Sequence, residues 1–514
     1  MEAGTLDGAL VLVGFMGAGK STGARTLAAE LGGEPVDSDH ELERRLGEPI
    51  ESYFDREGEQ AFRAREEELV LELLDRRPRA VGRPAVIALG GGAVQSERVR
   101  EALARHTVVH LEVRPEDAWR RASGKGRPLA RDIGRFEQLL RDRDPLYEAV
   151  AHAVLPPADR DALRRATPAV LALRQAPAGT RLVWASAASG EYPVYLGRGL
   201  IGSRFFYPRG GRRFVVTDTN VARCQPFEGN ERIEVLPGEE HKTIHGAEFV
   251  LRALAQANAE RGDLVVAVGG GVVGDVAGFC AAVYQRGMRH VQVPTTLLAQ
   301  VDSAYGGKTG VDLPEGKNYV GAYHQPAAVL CDPGALDTLP PEELAAGYAE
   351  VVKTALIAGG QLWAQVRQGG EVDSRIIMGC VRTKLAVVAA DERDAGRRQV
   401  LNLGHTVGHA IEAATAYSRY RHGEAIAIGL LAALRLSGRD ALHAEVAELF
   451  AARGLPVRFT GASVGDVLAL VERDKKRVGG KVPFVLIEAP GEVTPGHEVA
   501  TADLRAALEE LHAG

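Results

Sequence analysis

The sequence predicts an α/β protein: a parallel-sheet domain with helices on both sides, a second α/β region, then a mostly helical region. Three observations predict it. Short apolar runs at 9–13, 85–89 and 107–113 alternate with charged helical stretches such as 59–74, the rhythm of a parallel sheet. A second series of apolar runs falls at 214–217, 264–268 and 290–293. From about Pro340 strands become rare, and 342–357, 374–390, 405–415 and 423–436 carry helical periodicity.

The run at 9–13, of the kind buried on both faces of a parallel sheet, stops at Gly14, and a helical pattern follows over 20–31. Pro156-Pro157 and Ala176-Pro177-Ala178-Gly179-Thr180 punctuate the chain, with a helical stretch at 161–175 between them. The expected domains are therefore 1–175, 181–340 and 341–514, with 176–180 as linker. A length of 514 residues suits two to four domains.

Composition excludes several classes. The net charge of −6 is no electrostatic footprint for nucleic acid or an anionic membrane. Sixty glycines against 13 Phe, 12 Tyr and 3 Trp suit loops that bring backbone close to ligands. The four cysteines form no CxxC pair, so neither a disulfide framework nor a Cys-rich zinc site is expected. The N-terminus lacks the basic region of a secretory signal. The most apolar stretch, 264–283, contains Asp275 and many glycines, too polar for a membrane span. A cytoplasmic setting is the expectation.

Two stretches carry chemistry. Gly14-Phe-Met-Gly17-Ala18-Gly19-Lys20-Ser21 fits GxxxxGK[ST], between a strand and a helix. Its amides can wrap phosphates at a helix N-terminus, with Lys20 reaching β/γ-phosphates and Ser21 a Mg²⁺. Gly306-Gly307-Lys308-Thr309 ends similarly, but Asp302 stands where the first glycine belongs, so it is not read as a second phosphate loop. Asp37-Ser38-Asp39 follows a short strand-like Pro35-Val36; alternate carboxylates there can hold a metal or a hydroxyl.

In the second half, His405 and His409 stand at i and i+4 on one helix face, with His422 and Glu350 elsewhere. One carboxylate plus two imidazoles is a catalytic Zn²⁺ pattern. Thr406 replaces the Glu of HExxH, which argues against a zinc protease. Gly269-Gly270-Gly271-Val272-Val273-Gly274-Asp275 follows an apolar strand and satisfies GxGxxG. The acidic residue expected about 20 positions on is missing around Met288-Arg289-His290-Val291, so any dinucleotide would be bound outside the usual Rossmann geometry.

After the phosphate loop come Asp37-Ser38-Asp39, Phe62-Arg63, Gly90-Gly91-Gly92, Arg127-Pro128-Leu129 and Arg143 before Tyr147. In this order, over about 7–172, they resemble shikimate kinase. The resemblance implies that Gly17, Ala18, Gly19, Lys20, Ser21, Thr22 and Arg127 bind ATP, with Ser21 and Asp37 on Mg²⁺. It implies that Asp39, Arg63, Gly90, Gly91, Gly92 and Arg143 hold shikimate, and that Lys20, Asp39 and Arg127 are catalytic. The chemistry agrees: a planar carboxylate suits the Arg fork, and a hydroxyl nucleophile needs a base or orienter such as Asp39.

Pro237-Gly-Glu239…Lys242, the glycine run at 269–274, Pro294-Thr295-Thr296, Asp302…Lys308, Lys317-Asn318, Glu350…Lys353, Lys384, Arg398…Asn402, His405…His409, His422 and Asp474-Lys475-Lys476 form one ordered series. Over about 181–514 the chain resembles 3-dehydroquinate synthase. That implies a Rossmann-like NAD domain followed by a helical metal- and substrate-binding domain. Glu350, His405 and His422 would bind Zn²⁺ (or Co²⁺). Asp218, Glu239, Lys242, Gly270, Gly271, Val272, Asp275, Thr295, Thr296, Asp302, Lys317 and Thr338 would line NAD. Arg286, Lys308, Asn318, Lys353, Lys384, Arg398, Asn402, His409 and Lys476 would surround 3-deoxy-arabino-heptulosonate 7-phosphate. Of these, Lys308, Lys353, Lys384, Arg398, Asn402 and His409 would be catalytic, His409 as a proton relay. NAD⁺ would be reduced and regenerated within one turnover, around phosphate elimination and ring closure. Tyr305 departs from the small residue the family usually carries before GGKT.

Other readings stay open for the second half: a cyclase for another sugar phosphate, or a metal-dependent polyol dehydrogenase that releases NADH. A regulatory scaffold with dead sites fits poorly with intact Lys20, Asp39, Glu350, His405 and His422. The expectation is two independent activities on small-molecule substrates, with a homodimer through the synthase-like half.

Overall fold

The computed structural model describes residues 8–76, 84–123, 129–130, 132–157, 161–225, 227–475 and 482–513. The chain forms two compact units, one reaching to residue 186 and including 191–208, the other of 187–190 and 209–514.

In the first unit the strands lie in the spatial order Glu34–Asp37, Ala85–Ala88, Leu10–Val13, Thr107–Leu111, Ala153–Leu155, Arg181–Ala187 and Gly190–Leu196. Neighbours are parallel as far as Arg181–Ala187. Leu10–Val13 is buried along its whole length, which is why it reads as an unbroken apolar run rather than an alternating one. Helices Lys20–Leu31, Ile50–Asp75, Ile133–Val150 and Ala162–Ala172 accompany the sheet. Val11, Phe15, Ile87, Val108, Phe136 and Tyr147 are part of the core. Residues 181–196 supply two strands here, so this unit runs past the punctuation at 176–180.

The second unit holds five parallel strands in the order Ala328–Cys331, Arg289–Pro294, Leu264–Gly269, Arg213–Asp218 and Glu231–Val235. Leu264–Gly269 feeds directly into helix Gly271–Val283. Helices Pro341–Ala358, Ser374–Ala390, His405–Ala414 and His422–Leu436 follow, as the periodicity predicts. Two antiparallel hairpins, Lys308–Leu313 with Gly316–Tyr323 and Phe484–Ala489 with Glu492–His497, carry register shifts, which blur the period-two signal. Lys308 opens a strand instead of a helix, so the GGKT stretch is no phosphate loop. Tyr305 is buried, and its hydroxyl donates to the Gln300 carbonyl at 2.9 Å.

One close approach sets the metal-side geometry. A Cβ on Gly423 would fall 1.8 Å from the Ala346 carbonyl oxygen. Only glycine lets helix His422–Leu436 come that close to helix Pro341–Ala358, and so brings His422 opposite Glu350.

His290, on strand Arg289–Pro294, is buried and stacks on His324 at 5.0 Å between ring centroids. Burial first, and His324 second, push its pKa down to about 3. The folded unit therefore keeps this ring neutral where the unfolded chain protonates it, near pH 6.5. Stability is full above pH 6.5 and falls as the pH drops. At pH 5 the expected loss is about 2 kcal/mol. Chemical denaturation of wild type and His290→Gln at pH 7 and pH 5 checks this: the variant's pH dependence should be shallower.

Candidate active sites

The first unit has a cleft of about 1000 Å³ lined by Gly17 to Thr22, Asp37, Asp39, Arg63, Gly91, Gly92 and Arg143. Gly19, at φ 92°, precedes helix Lys20–Leu31, whose first turn has neither a side-chain cap nor an acidic residue. Its amides are left for an anion. Lys20 Nζ donates to the Gly14 and Phe15 carbonyls at 2.8 and 3.0 Å, holding the ammonium over the loop. Asp37 Oδ1 caps the next helix, accepting from the Asp39 and His40 amides. Ser38 Oγ accepts from the Gly90 amide at 2.8 Å, and a Cβ on Gly90 would lie 2.5 Å from Asp39 Oδ1, so the glycine loop sits against this carboxylate. Arg63 packs onto Gly92 and pairs with buried Glu66 at 2.5 Å. Arg143 is buried; Nη1 donates to the Gly91 carbonyl at 3.3 Å, and with the Gln95 amide turned so that its oxygen faces the guanidinium, Nε and Nη2 donate to it at 2.8 and 2.9 Å. Burial lowers its pKa. Arg127 lies outside the described residues.

The second unit has a cleft of about 1560 Å³. All twelve residues expected to line NAD line it: Asp218, Glu239, Lys242, Gly270, Gly271, Val272, Asp275, Thr295, Thr296, Asp302, Lys317 and Thr338. Asn318, His409 and His422 line it too. Several of its charged groups pair with one another. Lys242 lies 2.7 Å from Asp275 and donates to Asn318 at 2.6 Å. Asp302 holds Lys384 at 2.5 Å and Lys353 at 3.9 Å. Burial would raise the pKa of Asp302, but the two lysines outweigh it and hold the carboxyl well below its ordinary range. Burial lowers Lys384, with Asp302 opposing.

Glu350, His405 and His422 converge. Glu350 Oε1 lies 3.7 Å from Nε2 of both histidines. Oxygen and nitrogen ligands about 2.1 Å from a tetrahedral Zn²⁺ stand roughly 3.4 Å apart, close to this spacing. Glu350 is 1% exposed; Lys353 pairs with Oε2, while Oε1, which faces the two imidazoles, has no hydrogen-bond donor among the described residues. A buried carboxylate facing two imidazoles fits a divalent cation. Nitrogens of His405, His409 and His422 also lie within 4.8 Å of one another. Burial and Lys353 hold His405 well below the usual histidine range, and burial with His422 lowers His409 to about 4, so both rings are neutral at pH 7.

The family models that match are shikimate kinase over 16–172, 3-dehydroquinate synthase N-terminal over 232–346 and 3-dehydroquinate synthase C-terminal over 347–477. A 3-dehydroquinate synthase from Bradyrhizobium diazoefficiens is 42% identical over 355 residues, covering 62% of this chain and 93% of that protein. The chain belongs to the 3-dehydroquinate synthase family. Ahead of the synthase it carries a shikimate kinase domain, making a fusion of the two. A shikimate kinase from Acinetobacter baumannii, solved with shikimate, is 40% identical and covers 32% of this chain and 92% of that one (TM-score 0.30). A 2-epi-5-epi-valiolone synthase from Streptomyces hygroscopicus subsp. jinggangensis, solved with NAD⁺ and Zn²⁺, is 25% identical with TM-score 0.57, covering 62% of this chain and 96% of that one.

Within the synthase half, the cations expected around substrate divide. Lys308 is held by Asp394 at 2.5 Å, and buried Arg398 donates to the Gly306 carbonyl at 3.1 Å and to that of Glu392. Asn402 is exposed at the end of the 3-10 turn Arg397–Asn402. The structure does not bring Arg286 to the cleft. It is exposed just beyond Val283, the end of the helix whose first residue, Gly271, lines the cleft. At 1.5 Å per residue that helix alone separates the two by roughly 20 Å. Lys476 lies outside the described residues.

Sequence reading missed Glu66, lost in the acidic run Glu66-Glu67-Glu68, and Glu412. Glu412 sits three residues after His409 on the same helix, so the spacing HxxxHxxE could have flagged it. It is buried, accepts from Lys317 Nζ at 3.1 Å, and lies 3.4 Å from His422 Nδ1. Burial raises its pKa, but the His422 hydrogen bond and the charges of His422 and Lys317 win, leaving it at about 2.

Because the Gly423 contact places His422, Gly423→Val should weaken Zn²⁺ binding by roughly tenfold or more. Phosphorylation by the kinase half should stay at the wild-type rate. Chelator competition and a coupled ATP assay on the same preparation measure both.

Proposed function

We propose that the first cleft performs ATP-dependent phosphorylation of the shikimate 3-hydroxyl. The second converts 3-deoxy-arabino-heptulosonate 7-phosphate into 3-dehydroquinate and phosphate. The observation that carries the second assignment is the meeting of Glu350, His405 and His422 beside a cleft lined by every residue expected to line NAD. The 42% identity to a 3-dehydroquinate synthase, against 25% to the valiolone cyclase, favours this substrate over the other sugar phosphates. The functional domains proposed are 1–175, 181–340 and 341–514 around the linker 176–180, although 181–186 and 191–208 belong to the first compact unit; helix Pro341–Ala358 begins where the last is placed.

In the kinase half the loop amides and Lys20 hold the phosphates, while Asp39 orients the attacking hydroxyl or takes its proton. Arg63 and Arg143 face the substrate carboxylate, with Glu66 and Gln95 fixing their planes. Ser21 and Asp37 hold Mg²⁺.

In the synthase half Glu350, His405 and His422 hold Zn²⁺ or Co²⁺, and the glycine turn at Gly270-Gly271 with Thr295 and Thr296 receives NAD. When bound, NAD supplies a reversible hydride acceptor and the metal a Lewis acid for the substrate hydroxyls. Lys353, Lys384, Lys308 and Arg398 balance the phosphate and carboxylate of the substrate. Asp302 fixes Lys384 and Lys353 before substrate arrives. His409, neutral at pH 7, is the proton relay beside the departing phosphate. No described helix is long and apolar enough to cross a membrane, and the charge balance suits a cytoplasmic enzyme without nucleic-acid partners.

Lys20→Ala should abolish shikimate phosphorylation and leave phosphate release from the heptulosonate phosphate intact; loss of both would defeat the assignment of separate sites. Chelation should stop phosphate release and Zn²⁺ restore it, measured as inorganic phosphate together with carbocyclic product. Stoichiometric NADH accumulation during turnover would instead favour a polyol dehydrogenase.

A further inference from the structure

We propose that Glu412 is a positioning residue of the metal centre, its carboxylate accepting the Nδ1–H of His422 so that Nε2 faces Glu350. This rests on the reading of Glu350, His405 and His422 as metal ligands. An imidazole has two nitrogens on opposite sides of the ring, and a neutral ring carries its proton on only one. His422 presents Nδ1 to Glu412 Oε2 at 3.4 Å and Nε2 to Glu350 Oε1 at 3.7 Å. An acceptor on Nδ1 therefore selects the tautomer whose Nε2 lone pair is free for a cation. It also sets the ring's rotation, because the two contacts lie at its two ends.

The surroundings support a carboxylate kept for this purpose. Glu412 is 1% exposed, in the helix that also presents His405 and His409. A buried carboxylate is costly unless paired. Lys317 supplies the pairing at 3.1 Å; it also reaches Glu239 at 3.6 Å and lies over the Tyr417 ring at 4.8 Å. Tyr417 and its neighbour Ala416 have φ of 55° and 54°, a left-handed pair without glycine. The Tyr417 amide donates back to the Glu412 carbonyl at 2.7 Å. Strained backbone of this kind persists only where surrounding contacts hold it. Here the turn that carries the tyrosine closes onto the backbone of Glu412.

The test uses the full chain and measures the Zn²⁺ dissociation constant by competition with a fluorescent chelator, alongside thermal melting of the metal-free protein. Glu412→Ala should weaken Zn²⁺ by 10–100-fold. Glu412→Gln should recover most of that loss, because its amide oxygen still accepts from Nδ1–H. In a His422→Ala background, Glu412→Ala should cost nothing further. A purely structural Glu412 would lower the metal-free melting temperature and leave the Zn²⁺ constant unchanged, which overturns the proposal. An equal loss with and without His422 overturns it as well.

If neither Glu412 variant folds, the wild-type protein decides. With ¹⁵N-labelled histidine and Zn²⁺ bound, His422 must show a protonated Nδ1, and a bare Nδ1 overturns the proposal. Should His422→Ala bind Zn²⁺ as tightly as wild type, the ligand assignment itself fails, a result distinct from failure at Glu412 alone.

Discussion

The buried carboxylate of Glu350 is the constraint around which the synthase half is organised. It is held in a helix of the mostly apolar core and faces two imidazoles that burial keeps largely uncharged or dependent on an acidic neighbour. Lys353 balances it in part. The remainder of the arrangement, a close helix–helix approach at Gly423 and two nitrogens at equal distance from one oxygen, makes physical sense around a cation. Without that charge, an acid and two imidazoles are an expensive set to bury.

Alternating charge extends the same logic across the cleft. Glu412, Lys317, Glu239, Lys242 and Asp275 follow one another in contact, joining the metal side to the glycine turn expected to receive NAD. In a low-dielectric interior each of these groups is tolerable because the next one carries the opposite sign. Substitutions along the series will therefore not add, since each removal takes a partner from a neighbour that also belongs to the series. The kinase cleft solves a different problem by different means. The phosphate site proposed for it is mostly backbone: an uncapped helix start, positive-φ glycines and one lysine held by carbonyls. Phosphoryl transfer asks chiefly for position and fixed positive potential, and amides supply both without flexible side chains.

Much of this was legible in the chain. Fully buried strands such as Leu10–Val13 and Leu264–Gly269 must be apolar on both faces, and helix ends such as those of Lys20–Leu31 and Ser374–Ala390 follow the periodicity. Hairpins with irregular register left weaker traces. Candidate site residues within ordered motifs stood out because phosphate, carboxylate and metal chemistry restrict which side chains can serve. Supporting carboxylates were not. Glu66 and Glu412 look like solvated helix acids in sequence, because nothing local distinguishes an acid facing water from one facing an arginine or a histidine across the fold.

The sequence by itself determined the alternation of strands and helices, the phosphate loop and the candidate ligands, since periodicity and residue chemistry are local properties. Only the tertiary structure decided that Glu350, His405 and His422, up to 72 positions apart in the numbering, share one point, and that Arg286 stays away from it. Those outcomes depend on how helices pack and where chain segments meet. They are set by contacts such as Gly423 on Ala346, whose significance no single position in the chain reveals.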